Sequence, residues 1–151
     1  MSEVETLTSE AAELTASHIE VIETVIDSLA QDDSAMVSHD DEDGYLWKFQ
    51  YGSVEVYVQL TGTTDDDTLT VWSPVLKLPV QKQEQLLHQL LEMNCGSTFE
   101  ACFGISNQEV LILASRVLAD INPGEISRLI TIVASLADEQ DEALQAAYPA
   151  A

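Results

Sequence analysis

The chain has 151 residues, a length that suits one domain and buries roughly 68–70% of the surface exposed by its unfolded form. Twenty-seven Asp and Glu side chains stand against five cations, Lys48, Lys77, Lys82, Arg116 and Arg128, for a formal charge of −22. A field of that sign repels phosphate backbones and anionic headgroups, which excludes nucleic acid and bare membrane as partners and points to basic or apolar ones.

Val, Ile, Leu, Trp and Tyr are interleaved with carboxylates from residue 19 to 136, so the composition is not that of an acidic disordered chain. Ile19, Ile22, Val25, Ile26 and Leu29 recur at three- and four-residue steps, which predicts a helix over about 17–30 with Ser17 and Glu20 as its capping box and Ser9 to Ala16 as a candidate extension. An acidic loop, Asp32 to Gly44, follows. Tyr45, Trp47, Phe49 and Tyr51 then alternate with Leu46, Lys48 and Gln50, and after Gly52-Ser53 the alternation resumes with Val54, Val56, Val58 and Leu60. This is the period of two strands and a tight turn. A longer turn, Gly62 to Asp67, leads to a third strand with Leu69 and Val71 on one face and Thr68, Thr70 and Trp72 on the other.

Pro74 and Pro79 bracket an extended connector, because proline withdraws a ladder donor. Leu86, Leu87, Leu90, Leu91 and Met93 predict a helix over about 82–94, with Asn94 and Gly96 as a left-handed exit. Phe99, Ala101, Phe103 and Ile105 alternate as a fourth strand, Ser106-Asn107 turns, and Val110 to Val117 reads as a central fifth. Asn122, Pro123 and Glu125 at N-cap, N1 and N3 announce the last helix, whose stripe is Ile126, Leu129, Ile130, Val133 and Leu136. The expected fold is thus α+β, an antiparallel five-stranded sheet with three helices in the order α-β-β-β-α-β-β-α.

Chemistry-bearing constellations are sparse. The acidic start, Met1 to Glu10, is unlike the positive region of a signal peptide, and the longest apolar stretch in the second half, Val110 to Ala114, is far short of a membrane span, so a cytoplasmic location is expected. Cys95 and Cys102 are expected to be free, buried or half-buried thiols. With them, His18, His39 and His88 make no zinc-ligand spacing, and no metal or other cofactor is expected. His39, Asp41, Asp43 and Gly44 imitate part of a calcium loop, but position 1 is His and position 12 is Gln50, so both anchoring carboxylates are missing. Asp65, Asp66 and Asp67 read as a solubilised turn. His88 and Cys95, seven residues apart, would lie about 10.5 Å apart along a helix axis, too far for a thiol dyad. Ser97 lacks the glycine elbow of a hydrolase nucleophile. No catalytic residue is assigned, and the chain is expected not to be an enzyme.

The stretches Tyr45-Leu-Trp-Lys-Phe-Gln-Tyr-Gly-Ser-Val-Glu-Val, Val71-Trp-Ser-Pro-Val, Leu86-Leu-His-Gln-Leu-Leu-Glu-Met-Asn and Arg116-Val-Leu-Ala-Asp-Ile resemble the YbjN-like family, particularly its cyanobacterial members. The resemblance covers about 17–140, and would make 1–151 a single YbjN-like domain with acidic N-terminal and C-terminal tails. It implies a fold similar to that of the small acidic type III secretion chaperones, a homodimer, and regulatory or chaperone-like roles without catalytic residues. The doubled leucines Leu86-Leu87 and Leu90-Leu91 give the second helix two apolar sides and are the expected dimer interface. Tyr57 and Trp72 take the strand phase opposite to Val56, Val58 and Val71, and are the expected partner-binding residues unless the second helix or a dimer mate covers them. The leading expectation is a non-catalytic, chaperone-like or regulatory protein that binds another polypeptide. A small-molecule sensor or cryptic enzyme using the concave sheet face, and a structural subunit of a larger assembly, stand as alternatives.

Overall fold

The alternating segments 45–51 and 54–60 close into a hairpin because Gly52 takes φ +56°, a conformation costly for residues with a Cβ. The computed structural model describes residues 18–39 and 44–151. Its elements are α1 (18–29), β1 (Met36–His39), β2 (Tyr45–Tyr51), β3 (Val54–Leu60), β4 (Thr68–Lys77), α2 (Gln83–Gly96), β5 (Cys102–Ser106), β6 (Glu109–Val117) and α3 (Pro123–Ala147). The strands form one sheet in the order β1-β2-β3-β4-β6-β5, antiparallel throughout.

The sheet therefore has six strands where five were expected. The addition is β1, inside the segment expected to be an acidic loop, and all four of its residues are exposed. It has no buried alternation to announce it; pairing with β2, from Met36↔Lys48 to His39↔Tyr45, makes it a strand. The capping residue Ser17, the extension Ser9 to Ala16 and the loop residues Asp41 and Asp43 lie outside the described residues.

A second difference is the reach of β4, which runs through Pro74 to Lys77 and is not broken into a connector. Pairing with β3 ends at Tyr57↔Trp72, and the next rung in that register would set Glu55 against Pro74, which has no N–H. The Ser73 hydroxyl takes over, donating to the Glu55 carbonyl at 2.6 Å. On the other side β4 follows β6 across an irregularity between Pro74 and Leu76.

Helix ends follow the same local logic. At α3 the Asn122 side chain accepts from the Glu125 N–H at 2.9 Å with Pro123 as the first helical residue, as expected. Asn94 and Gly96, in contrast, stay within α2. The positive φ falls on Phe99, at +56°. The Asn94 amide instead reaches the edge of β5, accepting from the Phe103 N–H at 2.7 Å and donating to its carbonyl at 3.3 Å, so that a side chain occupies the place of a neighbouring strand.

One buried cluster joins Ile22 and Ile26 of α1, Leu86 and Leu90 of α2, and Ile126, Ile130 and Val133 of α3 to Phe49, Val56, Val58, Leu69, Val71 and Ile112 of the sheet. Those strand residues share one phase of the alternation, so all three helices cover the same face. The hairpin turn is tied to α3 as well: the Ser53 N–H donates to Asp138 Oδ1 at 3.0 Å and its hydroxyl lies 2.8 Å from Asp141 Oδ2. No described helix is long and apolar enough to cross a membrane.

Candidate functional site

With the helices gathered on one side, the alternate residues of every strand form a face with no helix among the described residues packed on it. One cross-strand row traverses it, Met36↔Lys48↔Tyr57↔Trp72↔Leu113↔Cys102 by register. Tyr57 and Trp72 stand at its centre as direct partners, their rings stacked at 5.3 Å between centroids and 7° between planes. Such a pair, half-buried by mutual contact, keeps large apolar edges toward solvent. Lys48 Nζ lies 5.9 Å from the Tyr57 ring centroid and 3.3 Å from Glu55 Oε1.

The Tyr57 hydroxyl donates to Glu55 Oε2 at 3.2 Å. Partial burial raises its pKa above the usual value of 10.0, and the hydrogen bond and charge of Glu55 add to this against the opposing pull of Lys48. Its phenol remains a donor throughout the neutral range.

Charge is distributed unevenly around this row. On the open phase of the six strands the charged residues are Lys48, Glu55, Lys77 and Glu109, two cations and two anions that sum to zero, in a chain whose total is −22. The remaining positions of that phase include Leu46, Gln50, Gln59, Thr70, Leu111 and Ser115. Among the described residues the excess of acidic side chains lies off this face, in helices and loops, so the aromatic centre is a neutral island.

The other expected site residues are dispersed. Leu86 and Leu90 of the proposed dimer set are 0% and 5% exposed and belong to the core, whereas Leu87 is half-buried and Leu91 is 71% exposed. Cys95 and Cys102 are free thiols, but both are exposed, not buried or half-buried. Cys102 occupies the open phase of β5 at the end of the aromatic row, opposite in phase to Phe103 as the alternation implies, and is exposed because no helix covers that face. His88 pairs with Glu92 at 3.0 Å, one helical turn away. Asp67 turns away from any divalent site with Asp65 and Asp66: it accepts from the Thr64 N–H at 2.9 Å and the Thr64 and Thr61 hydroxyls at 2.7 and 3.0 Å. Those bonds, the backbone one first, hold its carboxyl below the usual 3.8. Among the described residues no three His, Cys, Asp or Glu converge as metal ligands.

Comparison with solved structures finds the same architecture in two protein complexes. A chain of the "Crystal Structure of the ExsC-ExsE Complex" superposes with a TM-score of 0.53 at 17% identity, covering 85% of this chain and 94% of its own. A chain of the "Structure of the HopA1-SchA Chaperone-Effector Complex" does so with a TM-score of 0.54 at 10% identity, covering 86% and 97%. At these identities the likeness is one of fold, and the chaperone-like fold expected from the resemblance is borne out. No curated protein matches the chain in sequence. The profile of the YbjN family, described as "Putative bacterial sensory transduction regulator", matches residues 18–146. With nearly all of its described residues inside that match, the chain belongs to the YbjN family.

Proposed function

We propose that this protein is a non-catalytic, chaperone-like or regulatory protein that docks an apolar segment of another polypeptide on the open face of its sheet. The observation that carries this reading is the stacked Tyr57–Trp72 pair at the centre of a helix-free face of zero net charge. A patch of large amphipathic rings desolvates cheaply, and aromatic residues at the middle of an interface supply a large share of binding energy. The two solved complexes of the same fold, one titled a chaperone-effector complex, support a protein partner.

The neutral face favours an apolar contact surface over a basic one, while the surrounding acidic helices and loops influence the rate of encounter. The outer side of α2, with Leu87 and Leu91, is the proposed self-association surface of a cytoplasmic homodimer. Among the described residues neither Tyr57 nor Trp72 lines a well-formed cavity, and the hollows that reach this face lie at its margins, beside Leu46 and Gln59 and beside Lys77 and Glu109, so the aromatic centre itself favours a docked segment over an enclosed small molecule.

The test is capture from the native cytoplasm at about 150 mM salt, where unspecific charge contacts are largely screened. A protein retained by the wild type and lost from a folded Tyr57→Ala, Trp72→Ala variant supports the reading. Equal retention by both moves the docking surface elsewhere.

A further inference from the structure

The β5–β6 ladder stops at Cys102↔Leu113, so on that side β6 continues past its neighbour from Ala114 to Val117. Beside this overhang, α3 and the turn carrying Glu100 wall a cavity of about 240 Å³. Its floor is apolar, with Ala114 and Leu129 buried and Ile132 half-buried. The rim holds two of the chain's five cations, each beside a glutamate.

The two ion pairs differ in kind. Arg128 grips Glu100 with both prongs, Nε to Oε1 at 2.8 Å and Nη2 to Oε2 at 3.3 Å, and that fork braces the turn against α3. Arg116 meets Glu125 through a single contact, Nη2 to Oε2 at 3.1 Å, with both side chains substantially exposed. A guanidinium carries five N–H donors, so this arginine has capacity to spare, and a single-contact surface pair opens at little cost.

What fits between Arg116 and Glu125 is constrained by charge. An anion meets the repulsion of a chain at −22 and leaves Glu125 beside a like charge; a cation leaves Arg116 unpaired. A ligand carrying both poles exchanges one ion pair for two and strands neither residue. The apolar floor adds a preference for an aliphatic side chain, and the volume, below the range typical of drug-sized ligands, suits a small molecule.

We propose that the cavity beside the end of β5 binds a free α-amino acid with an aliphatic side chain, its carboxylate on Arg116, its ammonium on Glu125 and its side chain on Leu129 and Ile132. This site is separate from the Tyr57–Trp72 stack and does not depend on the role proposed for it.

The experiment is titration calorimetry of the full chain with L-leucine, L-isoleucine, L-valine and L-methionine, set against 4-methylpentanoate and 3-methylbutylamine, which keep the leucine side chain with one pole each. Saturable binding of at least one amino acid, at least about tenfold tighter than either single-pole analogue, is expected. Arg116→Gln and Glu125→Gln should each weaken it about tenfold or more without shifting the melting temperature appreciably, and Ile132→Trp, which fills the floor, should abolish it. Absence of saturable heat up to about 10 mM of all four overturns the proposal. So does 4-methylpentanoate binding as tightly as leucine, or unchanged binding in the two rim variants.

Discussion

The two tryptophans sit on β2 and β4, either side of β3 in the same sheet, and have opposite fates. Trp47 of β2 shares its phase with Phe49, faces the helices and is 3% exposed; Trp72 of β4 takes the other phase and stays half-buried against Tyr57. Nothing in residue type separates them. One step of strand parity does, because successive side chains point to opposite faces and only one face here is covered by helices. Burial on one face holds the molecule together, and the same chemistry on the other is the surface proposed to dock a partner.

The sharpest way to break this comparison is truncation of each indole. Trp47→Ala should cost about 3–5 kcal/mol of stability in urea unfolding, the scale for emptying an aromatic site in a core. Trp72→Ala should cost about 1 kcal/mol, the ordinary size for a substitution outside the core. Equal losses would mean that the two faces are energetically alike. Next in size, the Tyr57→Ala, Trp72→Ala double variant should weaken binding of the captured partner by at least about 2 kcal/mol while its circular dichroism is unchanged. Unfolding at ordinary temperature, or a change in oligomeric mass, would place the rings in a core or a self-interface.

Local features of the covered side give smaller effects. Asn122→Ala removes the acceptor for the Glu125 N–H and should lower stability by about 1 kcal/mol, read from the denaturation midpoint at unchanged slope. Leu91→Glu, on the outer side of α2, should alter stability by no more than about 0.5 kcal/mol. If α2 carries the proposed dimer interface, light scattering should show the variant as a monomer and the wild type as a dimer; identical masses would remove α2 as the self-association surface.

The smallest effect tests the turn between β3 and β4. Asp67 has its carboxyl pKa lowered by the Thr64 and Thr61 bonds, so its contribution is present above the unfolded-state value near 3.8 and is lost as pH falls through the lower folded value. The stability gap between wild type and Asp67→Asn should therefore be widest near neutrality and shrink below about pH 4. A gap constant with pH would show that the loop does not use the carboxylate's charge.

Much of the architecture is determined by the sequence alone, because periodicity is a local property. The inward phase of β2 and β3, the stripes of α1 and α3, the Gly52-Ser53 hairpin and the Asn122 cap all follow from residues within a few positions of one another, whereas the continuous apolar run of β6 announces a strand but not its phase. The opposite phase of Tyr57 and Trp72 is equally legible, since it needs only a count of two. What tertiary structure decides is everything that requires a partner distant in sequence. β1 exists because β2 offers it a ladder, and β4 passes through Pro74 because Ser73 supplies the donor that proline lacks. Leu86 and Leu90, rather than Leu87 and Leu91, become core in the orientation in which α2 docks with its Asn94 amide on the edge of β5. The cavity between Arg116 and Glu125 arises where β5 stops short of β6, and the aromatic face is open because all three helices chose the other side. A hydrophobic pattern tells each element which side to bury; which neighbour buries it depends on contacts between segments that the pattern does not encode.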